Sequence, residues 1–297
     1  MNTYERDGYL HGFAAYALWG VFPLYFVLFA RSPAVEVTAH RVVWSLLTCL
    51  LILAVTGQLG QFRAALLDGR LRGFLTAAGF LIAANWTFYI YGVGTGRTLD
   101  AALGYFINPL ATTALGVIVL RERLRPGQWL AVGLSSVAVI VLLIGYGQVP
   151  WIALGLAGTF ATYSLVKKVA GRTIAPTPGM TVETVVLAPL ACGYLVFLLA
   201  SGQASAPLLS WYTALLLSTG LVTAVPLLLF ASAAARIPLV AVGLLQYLAP
   251  VSQFLLGWLV FHEPMPLARW VGFILVWTAV MLFIADAIRA AAKERAG

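Results

Sequence analysis

The residues of this chain best suited to chemistry lie inside long apolar stretches. Glu36, His40, Arg41 and Trp44 share one such stretch, and a spacing of four sets Glu36, His40 and Trp44 along one helical face. An arginine deep in a bilayer costs roughly 2.5–3.5 kcal/mol on insertion scales, which favours a cavity or a partner over lipid. Three readings of Arg41 stay open: a site residue, a side chain that snorkels to the nearer surface, or a partner for Glu36. His40 belongs to the one residue type that ordinarily changes charge near neutral pH, so it suits coupling to a proton gradient. Glu183, one turn into a later stretch, is a third candidate for coupling or gating, against the plainer reading of a solvated or paired carboxylate.

A second group is polar but uncharged. The run from Leu103 to Leu110 places Tyr105, Phe106 and Asn108 just before Pro109, and Gln246 with Tyr247 stands just before Pro250. Each proline removes a helical N–H and frees the carbonyl four residues earlier, at Tyr105 and at Gln246. With Asn85, Trp86 and Tyr163 these residues make a set of aromatic walls and a few hydrogen-bonding groups, the usual lining of a small-molecule site. The alternative is polar glue between helices, at about 0.6 kcal/mol per bond in membranes. The sequence holds no phosphate-binding glycine loop, no zinc-binding His-Glu-x-x-His and no nucleophile elbow, so neither cofactor nor metal is expected. Cys49 and Cys192 lie in apolar stretches and suggest no disulfide.

The elements that must position these residues follow from composition. Of 297 residues, 62% are hydrophobic and 9% charged, too little polar surface to coat a soluble globule of this length. Runs of about 20 apolar residues span a bilayer. Ten appear, near 8–29, 34–56, 73–93, 99–119, 128–146, 150–168, 180–200, 211–232, 238–261 and 267–288. The polar start of the chain, with Glu5, Arg6 and Asp7, lacks the basic region and cleavage site of a removed signal, so the first run is expected to stay as a helix. The net charge of +8 is distributed by loop: 14 of the 18 basic residues fall on the side that holds the N-terminus, and only Arg31, Arg97 and Arg269 fall in the opposite loops. That asymmetry places both termini in the cytoplasm and explains the charge without nucleic acid.

Rare residues repeat in register. At a constant offset of 141, Pro109 pairs with Pro250, Gly116 with Gly257, Glu122 with Glu263 and Trp129 with Trp270. Matches of rare residues argue for a copied unit. Five spans per copy is an odd number, so the second copy enters the membrane from the opposite side. The expected fold is therefore an all-α integral membrane protein of ten transmembrane helices, built as two inverted five-helix repeats over 1–146 and 147–297. Inverted repeats of this kind enclose a substrate site near the midplane, and matched helix breaks at Pro109 and Pro250 point to it. Glu122 and Glu263 close the fourth and ninth spans, where a negative group opposes the helix dipole and needs compensation.

At these residues the chain resembles the EamA branch of the drug/metabolite transporter superfamily, and within it the RarD-type permeases described as chloramphenicol-sensitivity proteins. The likeness covers nearly the whole length. It rests on Ala15-Tyr16 with Trp19-Gly20 and Pro23, His40-Arg41 with Trp44-Ser45, Asn85-Trp86, Leu103 to Leu110, Glu122-Arg123, Gln128 to Ala131, Lys167-Lys168, Glu183-Thr184, and Gln246-Tyr247 with Pro250. It departs at Tyr163-Ser164, where the pattern reads Tyr-Gly. The resemblance implies ten helices, a bacterial inner-membrane location and movement of small metabolites, with drug phenotypes as a side effect. The reading that follows is a secondary transporter of small metabolites or drug-like molecules with alternating access to a central cavity. Its partners are a small-molecule substrate, the bilayer, and protons or a counter-substrate, with no nucleic acid and no obligate protein partner. The alternative is a passive facilitator or channel, and an enzyme is not expected.

Overall fold

The computed structural model describes residues 3–121, 124, 126–146, 149–170, 174–206, 210–234, 236–237 and 245–296. Among them every regular element is helical. The helices are α1 (Thr3–Gly20), α2 (Phe22–Phe26), α3 (Ala34–Val55), α4 (Leu59–Leu67), α5 (Gly69–Gly94), α6 (Thr98–Leu120), α7 (Pro126–Tyr146), α8 (Trp151–Ala170), α9 (Pro176–Ala200), α10 (Trp211–Ala234), α11 (Leu248–Leu255) and α12 (Leu267–Ala296). A 3-10 turn, Val27–Phe29, prolongs α2, and a π-turn, Leu256–Val260, prolongs α11.

Six of the described helices are long and apolar enough to cross a membrane, namely α3, α5, α6, α9, α10 and α12, and α1 with α2, bent by 41° between them, reaches that length and apolarity as a pair. The bend falls at Val21, just ahead of Pro23, which stands in the first turn of α2 where its missing N–H costs nothing. Shorter apolar helices cover Pro126–Leu142 and Leu248–Val260. Lipid supplies no hydrogen bonds, so helices that satisfy their own backbone are the only way such apolar sequence can cross it. Their ends carry local signals. Asp68 accepts from the N–H groups of Arg70 and Leu71 at 3.0 Å each and so starts α5. The short α4 falls in the loop near 57–72. Its Phe62, Ala65 and Leu66 pack on Val182 and Ile174.

Two prolines expected to interrupt helices behave differently. Pro109 sits inside an unbroken α6, with the Thr113 hydroxyl donating to its carbonyl at 2.8 Å. Pro250 lies in the first turn of α11, preceded by a turn at Gln246 and Tyr247. Pro189 and Pro226 lie within continuous α9 and α10.

The principal contacts run α7 on α12, α3 on α9, α6 on α11, α5 and α6 on α8, α10 and α11 on α1, α3 on α10, and α5 on α9. Small residues let these backbones approach, the usual device where lipid gives no hydrophobic drive to association. A Cβ at Gly79 would stand 2.8 Å from the Glu183 carbonyl oxygen, and one at Gly104 would stand 2.9 Å from that of Ala153. Gly220 meets the Trp44 carbonyl in the same way. Arg121 and His262 are the described non-glycine residues with positive φ, at 56° and 51°, and each ends a helix just before a glutamate of the repeat.

Replacing Gly79 by Leu forces α5 away from α9, and overpacking of this kind costs about 1–3 kcal/mol. A lowered melting temperature of the detergent-solubilised variant is the expected outcome, and an unchanged melt would contradict the close approach.

Candidate functional site

Arg41 enters two turns into α3 and is 5% exposed. Its Nε donates to the Thr223 hydroxyl on α10 at 2.8 Å. The guanidinium carbon stands 4.0 Å from the Trp86 ring centre, 5.3 Å from that of Phe26 and 6.0 Å from that of Phe22. Ring faces carry negative electrostatic potential, so this arrangement holds a desolvated cation at roughly 2 kcal/mol per good contact. Among the described residues no carboxylate forms an ion pair with it.

Tyrosines pack about the same rings. Tyr89 follows Trp86 by three residues on one face of α5, and its ring meets Phe26 at 5.7 Å and Tyr105 at 5.8 Å. It is 2% exposed and its hydroxyl has no hydrogen-bond partner. Tyr25 is already engaged, bonding Ser218 at 2.7 Å and donating to the Leu215 carbonyl at 3.1 Å. Tyr25 and Tyr89 adjoin Phe26, one of the rings that face Arg41, with Tyr25 meeting it at 5.1 Å, and Tyr105 adjoins Tyr89. Tyr105 is half-buried, on α6.

Of the residues singled out in the sequence, Arg41, Trp86 and Tyr105 come together here. Asn85 turns elsewhere: its amide donates to the Leu156 carbonyl and the Thr159 hydroxyl, both at 3.0 Å, and ties α5 to α8. Asn108 is half-buried and accepts a long 3.5 Å bond from Thr112. Gln246 and Tyr247 are half-buried, and Tyr247 packs on the second core around Phe106, Phe254 and Phe273. His40 accepts from the Trp44 indole N–H at 3.2 Å through Nδ1. An indole N–H only donates, so this bond holds a neutral imidazole with its proton on Nε2, and taking up a second proton means releasing Trp44. Glu36 does not pair with Arg41. It accepts from the backbone N–H of Ser205 at 2.9 Å and from its hydroxyl at 2.5 Å, because five residues of helix turn the two side chains to different faces.

Glu183 forms a separate cluster. It is 2% exposed, and it receives a bond from Lys167 at 2.5 Å and one from the Tyr163 hydroxyl at 3.3 Å. Tyr163 and Lys167 are four apart on α8, a spacing that could have announced the pair in the sequence.

Glu263 shows how a carboxylate at the end of one helix is compensated. It accepts from the N–H groups of Thr98 and Leu99 at 2.5 and 2.9 Å, and so caps the positive end of α6. Asp100, next in that turn, pairs with Arg97 at 2.6 Å and with Arg269 at 3.2 Å. Arg269 also stands 4.0 Å from Glu263. The matching Glu122 lies outside the described residues. A hollow of about 250 Å³ lies beside this network, lined by Arg97, Asp100, Leu103, Leu142, Arg269 and Phe273 among others. Neither Thr223, one threonine among many in apolar helices, nor Tyr89 stands out in the sequence. Among the described residues no group of three or more His, Cys, Asp or Glu is placed to hold a metal ion.

The chain matches the EamA-like transporter family twice, over residues 6–144 and 149–285. It is 50% identical over 293 residues to Protein RarD of Streptomyces exfoliatus, across 98% of this chain and 92% of that one. Protein RarD of Escherichia coli is 38% identical over 288 residues, 95% of each chain. The Uncharacterized transporter YojE of Bacillus subtilis is 38% identical over 286 residues, covering 94% of this chain and 93% of its own. A protein of known crystal structure shares the fold with a TM-score of 0.58 at 19% identity, over 96% of this chain and 99% of that chain.

Two substitutions test the charge clusters. Lys167→Met leaves Glu183 buried without its cation and is expected to destabilise by about 3–5 kcal/mol, whereas Glu183→Gln leaves a lysine that is 30% exposed and able to reach water, and costs less. Melting curves in detergent compare them, and the reverse order would overturn the account. Glu263→Ala uncaps α6 and should cost about 0.5–2 kcal/mol in the same assay.

Proposed function

The chain belongs to the EamA-like transporter family, among its RarD-type members, and on that premise we propose that it is a secondary transporter of small metabolites or drug-like molecules. It alternates access to one central cavity between two inverted five-helix halves, 1–146 and 147–297. One observation carries this reading. Exchanging α1, α3, α5, α6 and α7 for α8, α9, α10, α11 and α12 turns the principal contacts between the halves into themselves: α6 on α8 becomes α11 on α1, and α5 on α9 becomes α10 on α3. The offset of 141 supports the same exchange, since it relates Gly79 to Gly220, each against the second span of the other half, and Arg121 to His262. The double family match, over 6–144 and 149–285, supports such a division.

Function follows from where the halves touch. Arg41, Trp86 and Tyr105 come from the first half and Thr223 from the second, so the cluster they form is shared between the halves. Arg97, Asp100 and the start of α6 are joined to Glu263 and Arg269 at one end of the bundle. A rocking of one half against the other would break that seal as a unit and open the hollow. Asn108, Gln246 and Tyr247, with Pro109 and Pro250, stand along α6 and α11, the pair that carries the rocking. Tyr163 and Glu183, with Lys167, sit toward the opposite end as gating or coupling groups, and His40 is available for a proton. The site uses no cofactor. The protein lies in the bacterial inner membrane with both termini in the cytoplasm, as its loop charges require.

In proteoliposomes loaded with candidate metabolites, flux should saturate and a substrate on the far side should accelerate it by counterflow. Linear flux without counterflow identifies a passive channel instead. Tyr105→Ala and Gln246→Ala, each verified as folded, should lower the saturable flux about tenfold, the equivalent of about 1.4 kcal/mol of lost interaction. Wild-type flux in both would remove these residues from the site.

A further inference from the structure

Arg41 carries five N–H donors, and among the described residues only the one on Nε has an acceptor, Thr223. The rest of the guanidinium faces the rings of Trp86, Phe26 and Phe22, with no counter-charge among the described residues. Glu36, the nearest carboxylate along α3, is committed to Ser205. The Tyr89 hydroxyl is a second buried donor without a partner, on a ring that packs against Phe26, one of the rings facing the guanidinium. An unpaired cation and an unpaired hydroxyl are each costly to bury, and both costs vanish if one anion arrives between them.

We propose that Arg41 and Tyr89 form an anion subsite that binds the carboxylate of a small monoanionic substrate, whose apolar or aromatic body lies against Trp86, Phe26 and Tyr105. This rests on the transport reading and names the substrate class of its site. The planar guanidinium fork fits the two oxygens of a carboxylate. A single positive charge balances a monoanion and leaves a dianion uncompensated. The surrounding rings reward a flat apolar body and offer no carboxylate to an ammonium group.

The test uses purified full-length protein and three families of probes with a common body. Benzoate, 3-phenylpropionate and 4-phenylbutyrate are each compared with the neutral amide and the primary amine of the same length, and dissociation constants are taken from thermal shifts at millimolar concentration. At least one carboxylate is expected to bind about tenfold or more tightly than its amide and amine, the loss that follows from removing a charge-assisted bond. Arg41→Gln should abolish that preference, Arg41→Lys should keep part of it, and Tyr89→Phe should weaken carboxylate binding several-fold. Equal binding of amide or amine, no binding by any carboxylate, or a preference that survives in a folded Arg41→Gln or is untouched in Arg41→Lys and Tyr89→Phe alike would each overturn the subsite. Flux separates this from the transport reading. Carboxylate binding through Arg41 without saturable flux would leave the subsite standing and sink the transporter. Saturable counterflow of another solute, with no carboxylate preference, would do the opposite.

Discussion

Charge within lipid must be answered from inside the protein, and this constraint organises the molecule. The buried carboxylates find their partners at a distance in sequence: Glu36 with Ser205, Glu183 with Lys167, Glu263 with the first N–H groups of α6, and Asp100 with Arg269. Most of these bonds join the first half of the chain to the second. The polar groups that the membrane makes expensive are therefore the same groups that hold the halves together.

The aromatic core follows from that requirement. Phe22, Phe26 and Phe29 converge with Tyr89 and Tyr212 between α3, α5, α8 and α10, and this cluster supplies both packing area and ring faces for Arg41. A second cluster, around Phe106, Phe254 and Phe273, fills the space between α6, α11 and α12, with Phe254 and Phe273 rings at 4.7 Å. Glycines at the crossings bring backbone against backbone, so small changes of side-chain volume there move whole helices. The polar locks lie toward the bundle ends and the rings between them.

Much of the fold was legible because bilayer thickness and apolar length are tied by simple geometry. The span read near 34–56 is α3, Ala34–Val55, and that near 73–93 is α5, Gly69–Gly94. The helix α4 was not legible, being short, with its apolar face meaningful only once α9 lies beside it. The candidate site was partly legible. Arg41, Trp86 and Tyr105 could be named because their types are costly or unusual in lipid, but the partners Thr223 and Tyr89 could not, since threonine and tyrosine are common in such helices. Asn85 reads either as pocket lining or as glue between helices, and its bonds to α8 depend on which way one face of α5 points.

Composition and spacing alone put this chain in a bilayer, set roughly where its apolar helices run, and show one unit echoed at an offset of 141. Those properties follow from local composition and register. Tertiary structure decided which charges meet. It sent Glu36 to Ser205 and away from Arg41, turned Glu263 from a liability at one helix end into the cap of another, and left Arg41 facing rings. Such pairings depend on helix rotation and on contacts more than 150 residues apart, such as that of Thr98 with Glu263 across 165, which no local pattern encodes.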